Sequence, residues 1–264
     1  MQALFRYIKG DRVIWAVVTL LAIFSVLVVY SSIVTLAYKY QGGNTEFYLF
    51  KHSIILMIGF ALMYFAHKVN YKYYSRISQI GLLLAIPLLL FTLLVGASVN
   101  DAARWLNIPI INQSFQTSDL AKLALIMFLA RMLSRKQENI KDFNQAFLPI
   151  MIPILIVCGL ILPANFSTAA MLFATCLVLM FVGRINLAYI ISLISIGVFC
   201  LVIFIAVVLN SNYTSRVSTW KNRIENFSSG KAQANYQAEQ SKIAIASGGI
   251  IGKGPGRSTH RNFL

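Results

Sequence analysis

Long apolar runs, separated by short polar stretches, dominate this chain. Each approaches the roughly 20 residues that carry a helix across a hydrocarbon core. Lipid offers no hydrogen-bond partners, so such runs fold as helices, which satisfy their own backbone groups. The runs fall at residues 13–37, 49–66, 77–96, 120–133, 147–162, 168–182 and 187–209, the fourth and sixth being short. The composition agrees. Hydrophobic residues make up 58% of the 264 positions and charged residues 12%, with a mean hydropathy of +0.71, which excludes an ordinary soluble domain. The expected fold class is all-α, a polytopic transmembrane helical bundle of about seven spans.

The first run is followed by no small-residue cleavage site and by further spans, so it reads as a permanent helix and not a signal peptide. Cys158, Cys176 and Cys200 each stand alone in an apolar run and suggest neither a disulfide framework nor a metal cluster. His52, His67 and His260 are likewise isolated. No cofactor is called for, and only a divalent cation is left open. Asn-x-Ser/Thr sequons begin at Asn112, Asn165, Asn212 and Asn226, matter only in a eukaryotic secretory setting, and read as chance.

Lys and Arg in short loops mark the cytoplasmic side. Arg6, Lys9 and Arg12 precede the first span; Lys68, Lys72 and Arg76 follow the second; Arg131, Arg135, Lys136 and Lys141 follow the fourth; Arg184 follows the sixth. The alternate loops hold only Lys39, Lys51 and Arg104. The amino terminus, residues 1–12, is therefore expected in the cytoplasm and residues 210–264 in a large extracytoplasmic loop. Much of the +15 net charge belongs to the cytoplasmic loops, so nucleic acid is not an expected partner. The outer segment is itself basic, carrying Arg216, Lys221, Arg223, Lys231, Lys242, Lys253, Arg257 and Arg261 against Glu225 and Glu239. A solvated loop near anionic head groups accounts for this, and so does a site for an anionic lipid-linked substrate.

Three segments stand out as carriers of chemistry. The stretch Asn100-Asp101-Ala102-Ala103-Arg104-Trp105-Leu106 follows the third span, and Phe115-Gln116-Thr117-Ser118-Asp119-Leu120-Ala121-Lys122 opens the fourth. Ser118 is expected to cap that helix, with Asp119 at the positive end of its dipole. Lys122 sits about one turn inside, roughly 4.5 Å deeper than Asp119, where a lysine costs about 2.5–3.5 kcal/mol by the time it reaches mid-span. It can snorkel outward and clamp Asp119 at i, i+3, or it can join Arg104 in holding the phosphates of a lipid-linked sugar. The two readings are compatible. Trp105 also suits an interfacial anchor. The turn at residues 163–169 offers Asn165 or Ser167 as a cap. The glycine-rich segment at residues 247–258 lacks the spacing and the preceding strand of a nucleotide loop, but its glycines allow a tight turn close to a phosphate.

In their order and spacing these segments resemble the SEDS family (shape, elongation, division and sporulation), which includes FtsW and RodA, over nearly the whole chain. Gly10-Asp11 and Tyr30-Ser31-Ser32 fit the family's start. Residues 100–106 are similar to its Asn-Gly-Ala-x-Arg-Trp element with Asp101 for Gly, and residues 115–122 to Phe-Gln-Pro-Ser-Glu-x-x-Lys with Thr117 for Pro and Asp119 for Glu. Residues 163–169 depart from the family's Gln-Pro-Asp-x-Gly-Thr-Ala, because Asn165 stands where a carboxylate is expected. In the last loop Arg223, Phe227, Tyr236-Gln237, Gln240-Ser241, Gly248-Gly249, Gly252-Lys253-Gly254, Gly256 and Ser258 follow the family.

The resemblance implies a single membrane domain over residues 1–264, incomplete at its C-terminal end relative to a family total of about ten spans. It implies a peptidoglycan glycosyltransferase of the bacterial cytoplasmic membrane that polymerises lipid II during division or elongation, most like FtsW. The partners implied are lipid II, membrane lipids, a class B penicillin-binding protein and other divisome or elongasome proteins. The acceptor hydroxyl attacks the anomeric carbon and undecaprenyl pyrophosphate leaves. That transfer needs a general base and cations at the leaving group. The substrate-binding residues expected are Arg104, Trp105, Gln116, Ser118, Asp119, Lys122, Tyr236, Gln237, Lys253 and Ser258. The family's base, an aspartate after the glycine-rich segment, falls beyond Leu264, so no catalytic residue is assigned and the chain as given is expected to be inactive. A lipid II flippase and a non-catalytic division scaffold are the alternatives.

Overall fold

A computed structural model describes residues 11–33, 37–38, 42–95, 97–99, 102–108, 113–210, 236–249 and 252. They form two compact units, one from residues 1–69 with 226–264 and one from residues 70–225. A helix occupies each of the seven apolar runs.

The first unit contains α1 (Arg12–Ser32), α2 (Thr45–Lys68) and, late in the chain, α8 (Tyr236–Gly248). Side-chain caps start both long helices: Asp11 accepts from the Val13 amide at 2.8 Å, and Asn44 accepts from the Phe47 amide at 3.1 Å. Glu46 in the first turn of α2 and His67 and Lys68 in its last complement the helix dipole. Neither α1 nor α2 has a buried residue. Ser25 Oγ and His52 Nε2, 3.1 Å apart, join them by a hydrogen bond. Beside it an apolar groove of about 300 Å³ runs between Leu21 and Ala22 on α1 and Gly59 and Phe60 on α2.

The second unit begins with α3 (Tyr71–Val95), which contains Pro87. It continues through β1 (Ala97–Val99), β2 (Ala102–Ile108) and β3 (Gln113–Gln116) into α4 (Thr117–Arg135), α5 (Leu148–Ile161), α6 (Phe166–Val182) and α7 (Leu187–Asn210). A 3₁₀ turn at Gln137–Asn139 and a π turn at Phe143–Phe147 lead into α5. The expected loop between the third and fourth spans is instead an antiparallel sheet in the order β1-β2-β3. Its backbone groups lie outside the helices and pair with one another across the strands. The helices also run longer than the apolar runs, because polar residues such as Tyr71 and Lys72, or Thr117 and Arg135, complete their ends.

The core lies among α3 to α6. Leu82, Ala85 and Leu89 of α3 meet Ala121, Ala124, Leu125 and Leu129 of α4, with Ile150, Ile154 and Val157 of α5 and Leu172, Cys176 and Met180 of α6. Small residues bring α3 and α4 close, so that a Cβ built on Gly81 would lie 3.3 Å from the Ala124 Cβ. On the other side of α3, Leu83 and Leu94 are 73% and 77% exposed. Large apolar side chains facing outward along a whole helix are tolerable only in lipid. Among the described residues, four helical segments, Arg12–Ser32, Thr45–Lys68, Tyr71–Val95 and Phe143–Ile161, are long and apolar enough to cross a membrane, and Phe166–Val182 and Leu187–Phe199 are shorter apolar helices.

Candidate functional site

The sheet links two of the segments that the sequence singles out. β2 and β3 pair with Trp105 opposite Gln116 and Leu106 opposite Phe115, which sets facing Cβ atoms about 4.5–5.5 Å apart. β3 runs without a break into α4, whose first residue is Thr117. Two segments separated in sequence are thereby placed side by side, one carrying Arg104 and Trp105 and the other carrying Gln116, Ser118, Asp119 and Lys122.

Ser118 does not cap α4. The capping position belongs to Gln116, without a side-chain cap bond, because the strand feeds the helix two residues earlier than the sequence implied. The Gln116 amide turns toward Ser118 and donates to its Oγ at 2.8 Å. Ser118 and its neighbour Thr117 are buried. Asp119 lies in the first turn, where a carboxylate suits the helix dipole. The i, i+3 clamp forms: Lys122 Nζ lies 2.6 Å from Asp119 Oδ1, with the lysine side chain 33% exposed and the aspartate 59%. Lys122 therefore does snorkel toward its end of the helix.

At the start of α4 lies a cavity of about 20 Å³ lined by Thr92, Gln116, Thr117, Ser118 and Asn165, with Leu89 and Ile161 among its apolar walls. That is room for about one water. The Thr92 hydroxyl donates to the Leu88 carbonyl at 2.7 Å. Asn165 caps α6, accepting from the Thr168 amide at 3.3 Å, as expected of the 163–169 turn. Sequence reasoning missed Thr92 and the wall made by Thr117. A hydroxyl residue at the end of an apolar span is the only signal that marks either one, and it is a weak signal.

Arg104 lies in β2, but its side chain is outside the described residues, as are the side chains of Tyr236 and Gln237, whose backbone opens α8. Lys253 and Ser258 are outside them entirely. Gly249 and Gly252 take positive φ, 59° and 77°, which supports the tight backbone expected of the glycine-rich segment. Chemically, the described site offers a half-exposed ammonium, amide and hydroxyl donors, and one carboxylate already engaged by that ammonium. Such a set binds and orients an anion.

The FtsW/RodA/SpoVE family model, described as "Cell cycle protein", matches residues 11–264. A probable peptidoglycan glycosyltransferase FtsW of Geobacter sp. (strain M18) is 29% identical over 266 residues, covering 98% of this chain and 69% of the relative. Stage V sporulation protein E of Bacillus subtilis (strain 168) is 29% identical over 262 residues, covering 96% and 68%. Among solved structures, a chain from "Structural coordination of polymerization and crosslinking by a peptidoglycan synthase complex" is similar with a TM-score of 0.60 at 22% identity, over 86% of this chain and 66% of that one. The rod shape determining protein RodA of Thermus thermophilus is similar with a TM-score of 0.55 at 21% identity, over 75% and 60%. The chain thus spans about two thirds of the length of these relatives. With the helical fold and the match from residue 11 to residue 264 in agreement, this chain belongs to the FtsW/RodA/SpoVE family of membrane proteins.

Proposed function

We propose that this protein is a peptidoglycan glycosyltransferase that polymerises lipid II into glycan strands at the outer face of the bacterial cytoplasmic membrane, during division or elongation. The names of its relatives support the activity. The observation that carries the reading is the ammonium of Lys122, paired with Asp119 in the opening turns of α4, which follow directly on Gln116 and the strand that faces Trp105. A pyrophosphate leaving group develops charge as the glycosidic bond breaks, and preorganised cations and N–H donors stabilise that charge. Lys122 and Arg104 take this role, and Trp105 anchors the interface. Asp119 fixes Lys122, and Tyr236, Gln237, Lys253 and Ser258 are further substrate-binding residues proposed on the family resemblance. No organic cofactor is required. A class B penicillin-binding protein is the proposed partner, in line with the complex that contains the structurally similar chain.

Transport of lipid II is the competing reading, and it requires polar groups near the bilayer midplane. The buried polar residues described are Ser78, Thr92, Thr117 and Ser118. Ser78 lies toward one end of the α3–α4 pair and the other three toward the opposite end, with Leu82, Ala85, Leu125 and Leu129 between. This favours polymerisation. Lipid II supplied to the native gene product in proteoliposomes tests the choice. Arg104→Ala and Lys122→Ala are each expected to lower polymerisation by about 100-fold or more, with insertion unchanged and at most about 1 kcal/mol of stability lost with the clamp. Full activity in both variants leaves Lys122 as a clamp alone, and flipping without polymerisation refutes the proposal.

A further inference from the structure

Three helix ends meet at the cavity beside the start of α4, and each brings a side chain with hydrogen-bonding capacity to spare. Thr92 stands in the last turn of α3, Thr117 and Ser118 open α4, and Asn165 caps α6. The Thr92 hydroxyl donates to the Leu88 carbonyl at 2.7 Å, so its oxygen can still accept. Ser118 Oγ accepts from Gln116 Nε2 at 2.8 Å, which leaves its own proton to be given elsewhere. Asn165 Oδ1 accepts from the Thr168 amide, and its Nδ2 keeps two donors. Among the described residues nothing meets the Ser118 proton, the Asn165 Nδ2 donors or the Thr117 hydroxyl, and Thr117 is only 1% exposed. Polar groups this deeply placed cost free energy unless they find partners.

We propose that this cavity is the binding site of one structural water, which donates to Thr92 Oγ1, accepts from Ser118 and Asn165, and takes the Thr117 hydroxyl as its fourth partner. Its volume of about 20 Å³ exceeds the roughly 10–15 Å³ that one water requires, and a buried water makes about three hydrogen bonds. The same space lined by leucines alone would stay dry. A charged occupant fits badly. No charged side chain is among the described lining residues, and the nearby Lys122 is already paired with Asp119 at 2.6 Å, so an ion would be buried without a countercharge. The water does what no direct contact here does. It joins α3, α4 and α6 through hydrogen bonds where apolar packing gives way to polar helix ends. The inference concerns how these helix ends are held and does not depend on the glycosyltransferase reading.

A density map of the native gene product, sharp enough to show ordered waters, tests this directly. One isolated peak is expected within hydrogen-bond reach, about 2.6–3.2 Å, of at least two of the four side chains. Thermal unfolding in detergent gives an independent readout. Thr117→Val keeps the shape and removes the hydroxyl, and should lower the melting temperature by about 2–4 °C, while Thr117→Ser should keep most of it. Thr92→Val should act in the same direction. The double variant should lose less than the sum of the two, because either change loosens the same water. A map of that quality with no peak, additive losses, or a Thr117→Val protein that melts at or above the unsubstituted temperature overturns the proposal, since a methyl group added to a dry cavity stabilises it. Anomalous signal at the site from crystals grown in bromide assigns it to a halide and likewise overturns the water.

Discussion

Adding one methyl group at Gly183 should loosen the second unit at the end opposite the Lys122 site. Gly183 follows α6 with φ of −71°, a conformation open to any residue, so its backbone does not require glycine. Its surroundings do. A Cβ there would lie 2.7 and 2.9 Å from the two Cδ atoms of Leu133 and 3.1 Å from its Cγ, whereas carbon atoms settle at about 3.5–4.0 Å. Leu133 is 5% exposed and has little room to retreat. Gln137 Nε2 also donates to the Gly183 carbonyl at 3.3 Å and to the Leu133 carbonyl at 3.0 Å, which pins the two helix ends together. Gly183→Ala must therefore displace Leu133 or part α4 from α6, a strain of about 1–3 kcal/mol. Thermal unfolding in detergent should show a fall of several degrees. Leu133→Ala alone costs about 2–5 kcal/mol through its cavity, but in the Gly183→Ala background it also relieves the clash. The double variant should then be more stable than the sum of the single losses by at least about 1 kcal/mol. Strict additivity, or an unchanged melting temperature in Gly183→Ala, would refute the close approach.

Three further outcomes are expected from the same measurement. Asn165→Ala removes the cap of α6 and should cost about 1 kcal/mol, while Asn165→Asp retains it. Arg184 holds φ of 66° in the turn after α6, so Arg184→Gly should raise stability by up to about 1 kcal/mol. Ser25→Ala and His52→Ala should each cost about 0.6 kcal/mol, and the double variant no more than either single one, since both break the same bond between α1 and α2.

The sequence by itself determined the membrane architecture. Runs near bilayer thickness admit no other backbone solution, so the positions of the helices could be read directly. The Asn165 cap and the Lys122–Asp119 clamp were also legible, because capping and i, i+3 contacts depend only on neighbours along the chain. Ser118 was misread as a cap because the start of α4 is set by β3, and strand pairing is a contact between segments that a local reading cannot place. The sheet between α3 and α4 was invisible for the same reason, since Ala97–Val99 and Gln113–Gln116 show no alternation strong enough to mark strands. Only the tertiary structure set Trp105 opposite Gln116, closed Thr92, Thr117 and Asn165 around one small cavity, and left two donors of Arg131 without acceptors. Local chemistry fixes which residues can bind an anion, but which of them meet depends on register and helix packing, and these are settled by the whole fold at once.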